Sequence, residues 1–285
     1  MTPRILVTGS NGQLGTCIKD VDDNKFDIKY VSSSDLDITN NKEVESFFEQ
    51  QKIDWCINCA AYTAVDKAES DYNSAFNVNV SGVKNLAEAC KAYNVKLIHV
   101  STDFVFDGEQ NKPYKESDPT NPLSVYGDTK LKGEQEVSKA LKEYFILRTS
   151  WLYSEHGANF LKTMLRLSKD KTQLGVVGDQ IGTPTYAKDL AKAILLFIEK
   201  DISNYGIYHY SNNGVASWYD FAKAIFEIHK TNIQLNNIST AQFPTPAKRP
   251  RFSVLDKTKI ETALRQNVPY WRDSLITAMQ NIQNE

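Results

Sequence analysis

The sequence predicts an α/β protein: a doubly wound parallel sheet with a smaller α/β lobe at its C-terminal end. Two observations predict this class. In the first half, short apolar runs alternate with longer segments of helical periodicity, as in repeated β-α-β units. Several of these runs are nearly continuous, as in parallel strands that are covered on both faces. After residue 150 the alternation loosens, which indicates a second lobe.

The elements of the first half follow from this alternation. Strands are predicted at residues 4–8, 27–31, 55–59, 96–101 and 144–149. Helices are predicted at residues 13–20, 42–51 and 73–93, the last because its apolar residues form one stripe. We therefore predict a dinucleotide-binding domain of the Rossmann type over residues 1–155.

The second half predicts a smaller substrate-binding lobe over residues 156–285. Helices are predicted at residues 159–168, 187–200, 218–229, 256–263 and 272–282, with short strands at 174–177 and 207–210. We expect part of this half, near residues 183–200, to return to the main sheet.

Composition and charge exclude several functional classes. The 285 residues can bury a sizeable core, and Lys plus Arg number 33 against 35 Asp plus Glu, a formal net charge of −2. This balance supports neither a nucleic-acid nor a membrane partner. The longest apolar run in a helical context, residues 193–198, is far shorter than the roughly 20 residues of a spanning helix. We expect neither a signal peptide nor a membrane anchor.

Cysteine and histidine usage predicts neither disulfides nor a metal site. Four cysteines in a chain of this length do not make a disulfide framework, which indicates a reducing compartment such as the cytoplasm. Cys56 and Cys59 form a C-x-x-C pair, but a second pair or matching histidines would be needed for zinc. We interpret them as buried structural thiols. The four histidines, His99 and His209 included, show no ligand spacing.

A glycine-rich turn directly follows the first strand. Gly9, Gly12 and Gly15 form a G-x-x-G-x-x-G run that opens a helix. Such glycines allow a tight turn and close approach of the backbone to a pyrophosphate, while the helix N-terminus attracts the anion. The run therefore predicts a dinucleotide site, and the alternative is a glycine-rich turn without a ligand.

Acidic residues after the second strand bear on the cofactor. Asp35 and Asp37 lie about 20 residues beyond Gly15, where an acid can bind a ribose hydroxyl. Asp37 could equally cap the start of the next helix. Ser33 and its neighbours stand where an arginine usually binds the 2′-phosphate, so the sequence favours NADH while leaving NADPH open.

A Ser-Thr pair ends the fourth strand, and a Y-x-x-x-K motif follows. Tyr126 and Lys130 are four residues apart and share a helix face. A nearby ammonium favours the phenolate, so we expect Lys130 to bring the pKa of Tyr126 towards the working range. Lys130 can also hold the cofactor ribose. Thr102, at the carboxyl end of the strand, can hydrogen-bond a substrate carbonyl.

Together these residues resemble the extended short-chain dehydrogenase/reductases, which act on nucleotide sugars, and the resemblance spans essentially the whole chain. It rests on six segments: residues 59–69, 101–108, 126–134, 148–151, 179–185 and 244–250. Within that family it implies NAD(P)H-dependent reduction of the C4 ketone of dTDP-4-dehydro-β-L-rhamnose to dTDP-β-L-rhamnose, the last step in the synthesis of that sugar nucleotide.

The resemblance also implies residue roles. Tyr126 would be the proton donor, Lys130 its partner and Thr102 an assisting group. Besides Gly9, Gly12 and Gly15, the implied cofactor contacts are Gln13, Leu14, Asp37, Ile38, Ala61, Tyr62, Thr63 and Val100. The implied substrate contacts are Thr102, Asp103 and Trp151, and Trp151 has the alternative of an ordinary core aromatic. Arg249 would neutralise the substrate diphosphate, or belong to a solvated loop.

One position departs from the family. Some members have a glutamate that helps hold Mg²⁺ at a dimer interface, and Lys188 stands there. Because a cation repels a metal, we predict no metal-bridged dimer, although a homodimer stays open. The alternative functions are a dehydratase or epimerase, another keto-sugar reductase, and a non-catalytic regulatory subunit on the same fold. Phe104 after Thr102-Asp103 disfavours a dehydratase, since the related enzymes use an Asp-Glu pair there.

Overall fold

A computed structural model describes residues 2–284 of the chain. The strands are β1 (Arg4–Thr8), β2 (Asp27–Val31), β3 (Trp55–Asn58), β4 (Lys96–Thr102), β5 (Tyr144–Thr149), β6 (Leu152–Tyr153), β7 (Gln173–Val177), β8 (Ile181–Gly182), β9 (Thr185–Tyr186), β10 (Gly206–His209), β11 (Ala216–Ser217) and β12 (Gln234–Ile238). The helices are α1 (Gln13–Val21), α2 (Asn41–Gln50), α3 (Val65–Ala68), α4 (Tyr72–Phe76), α5 (Val83–Ala92), α6 (Val125–Ala140), α7 (Phe160–Leu167), α8 (Ala187–Glu199), α9 (Trp218–His229), α10 (Thr258–Leu264) and α11 (Trp271–Asn284).

The central sheet has six parallel strands in the order β10-β5-β4-β3-β1-β2. The order reverses between β1 and β3, and the carboxyl ends of strands at such a reversal form the ligand crevice of doubly wound sheets. Apolar clusters cover both faces: α1 and α8 contribute to one, and α2 and α5 to the other. The predicted α/β fold class is confirmed.

The sixth strand, β10, corrects the sequence interpretation. We placed residues 207–210 among the strands of the smaller lobe, whereas Gly206–His209 pairs in parallel with β5 at the edge of the main sheet. The preceding helix, α8, packs on α1. An isolated short strand carries no mark of its partner, because its pairing depends on long-range packing. The division of lobes near residue 155 stays a prediction.

The helix predicted over residues 73–93 is divided in three. A π-helical segment, Asn77–Gly82, separates α4 from α5. Asn79 explains the wider turn, since its buried side chain accepts from Tyr62 N and donates to Thr129 Oγ1 on α6. A Cβ on Gly133 would lie 2.2 Å from Asn79 O, so α6 packs tightly there. The π segment thus fixes the loop after β3 to the helix that carries Tyr126.

The smaller lobe has its own apolar core, formed largely by α7, α9 and α11. β7 pairs in parallel with β12, a strand that the sequence analysis did not predict. Its sequence, QLNNI, contains only two apolar residues, which is too few for a periodicity signal. Among residues 2–284, the helices are all too short or too polar to span a membrane.

Candidate active site

The glycine-rich turn lies at the carboxyl end of β1. Gly9 has a φ of +66°, and a Cβ there would lie 2.6 Å from Ala60 N. A Cβ on Gly15 would lie 2.6 Å from Gly9 O. Gly12 is the residue before α1 and is exposed, with Gln13 and Leu14 opening the helix. The turn therefore brings bare backbone and a helix N-terminus to the crevice, a cradle that fits a pyrophosphate.

Changing Gly9 to alanine tests this cradle. We expect a loss in free energy of unfolding above about 2 kcal/mol, because a left-handed alanine costs about 1–2 kcal/mol and its Cβ also overlaps Ala60. Gly157→Ala is the matched control, since Gly157 has a φ of +65° but its nearest neighbour to a Cβ is 3.8 Å away. Urea denaturation measures both changes. Equal losses in the two variants would contradict the close approach of Gly9 to the backbone of Ala60.

The main cleft is a cavity of about 630 Å³ at the carboxyl ends of β1, β3, β4 and β5. It brings together most of the site residues that the sequence predicts. Among its lining residues are Gly9, Gly12, Gln13, Leu14, Gly15, Ala61, Thr63, Val100, Thr102, Asp103, Tyr126, Lys130, Trp151 and Arg249. Tyr62 is not among them; its backbone N–H donates to Asn79 Oδ1.

A side cavity of about 380 Å³ opens at the end of β2. Its lining includes Gly9, Ser33, Asp37, Ile38 and Ala61, so it adjoins the glycine-rich turn. The Asp37 carboxylate accepts from the backbone N–H and the hydroxyl of Thr39, at 2.9 and 2.8 Å. Asp37 thus closes a turn before α2 while lining the side cavity.

The helix start itself is capped elsewhere. Asn40 accepts from Glu43 N and is the cap of α2, the role that the sequence analysis left open for Asp37. Asp35, the second acid, accepts from the backbone N–H and hydroxyl of Ser32. The hydrogen bonds of the Asp35 carboxylate are therefore made within the turn after β2.

Thr102 and the Y-x-x-x-K motif meet in the main cleft. Ser124 caps α6 by accepting from Gly127 N, which fixes the first turn of the helix and so the position of Tyr126. Lys130 follows one turn later and is 2% exposed. The Thr102 hydroxyl accepts from Phe104 N at 3.2 Å and donates to Asp103 Oδ1 at 3.1 Å.

The pKa values of Tyr126 and Lys130 correct the expectation that Lys130 lowers the pKa of Tyr126. Burial raises the pKa of Tyr126 to about 12; the Thr102 hydroxyl lowers this pKa, and Asp103 raises it. The sequence analysis expected this pKa to be lowered instead; Lys130 Nζ donates to Val100 O at 2.7 Å. Burial lowers the pKa of Lys130 to about 8, against the opposing charge of Glu134.

Asp103, the residue after Thr102, is a buried carboxylic acid that lines the main cleft. It is 1% exposed, and burial raises its pKa to about 6, although Ser253 and Thr102 act to lower this pKa. Its Oδ2 atom has no hydrogen-bond partner among the described residues. A carboxyl group in this state can donate or accept a hydrogen bond near neutral pH.

Trp151 also lines the main cleft. Its backbone has a φ of +46°, an uncommon conformation for a bulky residue. Its ring stacks on Trp218 from the smaller lobe, with centroids 3.7 Å apart and planes 9° apart. A Cβ on Gly182 would lie 2.7 Å from the Trp151 ring, so that glycine gives the indole its space. Trp151 is therefore fixed by packing and still lines the main cleft.

Arg249 lines the main cleft from the loop of residues 243–250, which contains three prolines. Its guanidinium forms two hydrogen bonds with the Asp66 carboxylate, the shorter one 2.8 Å, and also contacts Thr245 and Ala247 O. The guanidinium lowers the pKa of Asp66. Arg249 is therefore held in place at the main cleft, with its charge offset by Asp66.

Lys188 belongs to a polar cluster between the lobes. Its Nζ atom is 3.1 Å from Asp20 and 3.2 Å from the buried Glu155. Ligand-capable atoms of Cys17, Glu155 and His156 lie within 4.8 Å of one another. The sequence analysis did not find this grouping, because Cys17 is far from the other two along the chain and no ligand spacing connects them. The Lys188 ammonium pairs with both carboxylates and offsets one of their two negative charges.

The cysteines are all free, as predicted: Cys17, Cys56 and Cys90 are buried and Cys59 is partly exposed. Cys59 was predicted to be a buried structural thiol, but it lines both the main cleft and the side cavity. The chain leaves β3 at this point, so the residue lies at the crevice.

The site also contains residues that the sequence analysis missed. Trp218, Gly157 and Ala158 line the main cleft from the smaller lobe. No local pattern identifies them, since they reach the cleft only through the packing of one lobe on the other. Trp218 is the first residue of α9.

The parallel sheet, the glycine-rich turn and the Thr-Tyr-Lys group define a dinucleotide-dependent oxidoreductase of the short-chain dehydrogenase/reductase class. Comparisons with known proteins are more specific. A family model described as "RmlD substrate binding domain" matches residues 3–284. A protein named dTDP-4-dehydrorhamnose reductase from Aggregatibacter actinomycetemcomitans is 45% identical, covering 95% of this chain and 97% of that one.

Solved structures agree. A dTDP-4-dehydrorhamnose reductase from Clostridium acetobutylicum has a TM-score of 0.95 and 42% identity, covering 98% of this chain and 99% of that one. The enzyme of the same name from Bacillus anthracis, solved in complex with NADP, has a TM-score of 0.95 and 38% identity, covering 99% and 100%. The chain therefore belongs to the RmlD family of dTDP-4-dehydrorhamnose reductases, and the resemblance seen in the sequence is confirmed.

Proposed function

We propose that this protein uses NADH or NADPH to reduce the C4 ketone of dTDP-4-dehydro-β-L-rhamnose, yielding dTDP-β-L-rhamnose. The observation that carries the proposal is the meeting of Thr102, Tyr126 and Lys130 with the glycine-rich turn in the main cleft. Family membership supports the choice of substrate, since the similar proteins carry that reductase name. When bound, the reduced nicotinamide supplies the hydride.

The chain's own residues supply the proton and the orientation. Tyr126 is the proton donor to the C4 oxygen, and its raised pKa means that the phenol carries its proton at neutral pH. The Thr102 hydroxyl, beside it, assists by hydrogen-bonding the same oxygen, which stabilises the developing negative charge. Lys130 holds the cofactor ribose.

The other predicted site residues bind the two ligands. Gly9, Gly12 and Gly15 leave room for the pyrophosphate, and Gln13 and Leu14 lie at the same helix end. The other proposed cofactor contacts are Asp37, Ile38, Ala61, Tyr62, Thr63 and Val100. The proposed substrate contacts are Asp103, Trp151 and Arg249, with the Arg249 guanidinium facing the diphosphate.

The choice between NADH and NADPH is tested by Ser33→Arg. Ser33 is exposed and lines the side cavity, so a guanidinium there can reach a 2′-phosphate. A charge-assisted hydrogen bond contributes about 1.5–3 kcal/mol, so we expect the ratio of kcat/KM for NADPH over NADH to rise about tenfold or more. Steady-state kinetics with both cofactors give the ratio.

The control for that change is Ser46→Arg on α2. Ser46 is exposed and lies outside the side cavity, so the same added charge should leave the cofactor ratio unchanged. An unchanged ratio in Ser33→Arg would mean that the 2′ position is recognised elsewhere.

The reaction itself is tested by product analysis. Purified protein is incubated with enzymatically generated dTDP-4-dehydro-L-rhamnose and a reduced cofactor deuterated at the transferring position. We expect dTDP-L-rhamnose with deuterium at C4, detected by mass spectrometry and NMR. Deuterium at another carbon, or a dehydrated product, would exclude this reduction.

We also propose a cytoplasmic location. The four free cysteines support it, because unpaired thiols persist in a reducing compartment. Whether two copies of the chain associate is tested by the mass in solution, and Lys188 between Asp20 and Glu155 favours an assembly without a bridging metal.

A further inference from the structure

A chain of buried polar side chains crosses the sheet to Lys130. Thr8 Oγ1 donates to Asn58 Oδ1 at 2.7 Å, Asn58 Nδ2 lies 3.0 Å from His99 Nδ1, and His99 Nε2 lies 3.5 Å from Lys130 Nζ. All four residues are at most 2% exposed. Thr8, Asn58 and His99 are successive register partners on β1, β3 and β4, so the parallel pairing itself aligns them.

The orientation of the Asn58 amide follows from its neighbours. The backbone N–H of Ala60 donates to Asn58 Oδ1 at 3.1 Å, and a backbone N–H can only donate. The amide nitrogen of Asn58 must therefore face His99. Because that nitrogen also only donates, His99 Nδ1 must be the unprotonated acceptor.

This fixes the proton of His99 at Nε2, the ring atom that faces Lys130. A charged imidazolium would place a second N–H against the Asn58 amide, and burial together with the Lys130 charge also lowers the pKa of His99 well below its usual value. His99 therefore stays neutral, with a single N–H at Nε2.

The consequence for Lys130 depends on its charge state. His99 Nε2–H cannot accept a hydrogen bond from the ammonium, but it can donate one to the lone pair of the neutral amine. Val100 O remains the acceptor for one ammonium N–H. The strand network therefore stabilises the amine relative to the ammonium.

Other charged groups around Lys130 act in the opposite direction. Glu134 on the same helix favours the ammonium, whereas burial raises the pKa of the Cys59 thiol, which therefore stays neutral. Glu134 is itself neutralised by Arg148 on β5 at 2.7 Å. Asp103 is the remaining acid of the main cleft, and it acts on Tyr126. Burial outweighs these groups, and the pKa of Lys130 falls to about 8.

We propose that Thr8, Asn58 and His99 are positioning residues that hold His99 in its Nε2–H tautomer, so that Lys130 can release its ammonium proton during the reaction. The proton role rests on the proposed function. After Tyr126 gives its proton to the C4 oxygen, the Lys130 ammonium, which lines the same cleft, supplies a proton that restores the phenol, and it becomes the amine that His99 stabilises. The amine then takes a proton from water, which restores the starting state.

The variant Asn58→Asp is expected to reverse the tautomer of His99. The new carboxylate still accepts from Thr8 and Ala60, and it also accepts from a ring N–H, so His99 should change to the Nδ1–H tautomer. His99 Nε2 would then accept from the Lys130 ammonium. We expect the alkaline fall of kcat/KM, which follows loss of the Lys130 proton, to move upwards by about one pH unit.

The tautomer is read directly by ¹⁵N NMR of histidine-labelled protein, with the His99 signal identified by its loss in His99→Gln. We expect a neutral Nε2–H ring in the native sequence from about pH 6 to about pH 9 and an Nδ1–H ring in Asn58→Asp. An Nδ1–H or charged ring in the native sequence would overturn the proposal. This result does not depend on catalysis, so it survives if the proposed reaction is not observed.

Two further variants complete the test. Asn236→Asp, on the exposed β12, adds the same charge away from the network and should leave the tautomer and the pH profile unchanged. Asn58→Ala removes the amide donor without adding charge and should give a mixture of tautomers; a pure Nε2–H ring there would show that Asn58 does not set it. A tautomer change in Asn58→Asp with an unmoved alkaline limb would refute the link to Lys130.

Discussion

Replacing Tyr126 with phenylalanine is expected to lower turnover at least about 100-fold while leaving cofactor affinity unchanged, since a lost general acid costs about 10²–10⁴-fold. The phenol is the group of the main cleft that both carries a proton at neutral pH and lies beside Thr102. Its ring packs edge-on against Phe104, a contact that phenylalanine keeps. The variant should therefore fold normally.

The measurement for this variant has two parts. Single-turnover rates with the keto sugar report the chemical step, and cofactor fluorescence titration reports affinity. Tyr93→Phe is the control, because Tyr93 is 42% exposed at the end of α5 and outside the main cleft. Turnover of Tyr126→Phe near that of the control would remove Tyr126 from the reaction.

The largest effect on stability is expected from Glu134→Ala. Arg148 donates two hydrogen bonds from Nε and one from Nη2 to the Glu134 carboxylate, and both side chains are 3% exposed. Ser101 also donates to the carboxylate at 2.5 Å. Removing the glutamate leaves a buried unpaired guanidinium, so we expect a loss of about 3–5 kcal/mol in the free energy of unfolding.

Urea denaturation measures this loss, and Glu136→Ala on the same helix is the control, expected within about 0.5 kcal/mol of the unchanged protein. A double change, Glu134→Leu with Arg148→Met, should recover much of the stability because it leaves no buried charge. A double variant as unstable as Glu134→Ala would mean that packing, rather than the unpaired charge, causes the loss.

Local signals were sufficient for five of the six strands of the sheet and for the central part of the site. The glycine-rich turn and the Thr102, Tyr126 and Lys130 group each lie within a short stretch beside a predicted strand or helix, so spacing alone identified them. The parallel order of the strands then brings these stretches to one crevice, as topology requires.

Long-range packing determined what the sequence could not show. β10 and Trp218 reach their places only through pairing or stacking with residues far away in the chain. The expected effect of Lys130 on Tyr126 was wrong for a related reason: the i, i+4 spacing predicts proximity, but the hydrogen bond to Val100 O directs the ammonium to β4. His99, interpreted as a packing or surface residue, lies directly beside it.

The most direct test of the central claim is the oxidation of NADH or NADPH, followed by nicotinamide absorbance, when purified protein meets dTDP-4-dehydro-L-rhamnose. The account predicts rapid oxidation in the native protein, with dTDP-L-rhamnose as the product, and almost none in Tyr126→Phe. No oxidation with either cofactor, although both are seen to bind, would contradict the proposed reaction and indicate another keto sugar or a regulatory role.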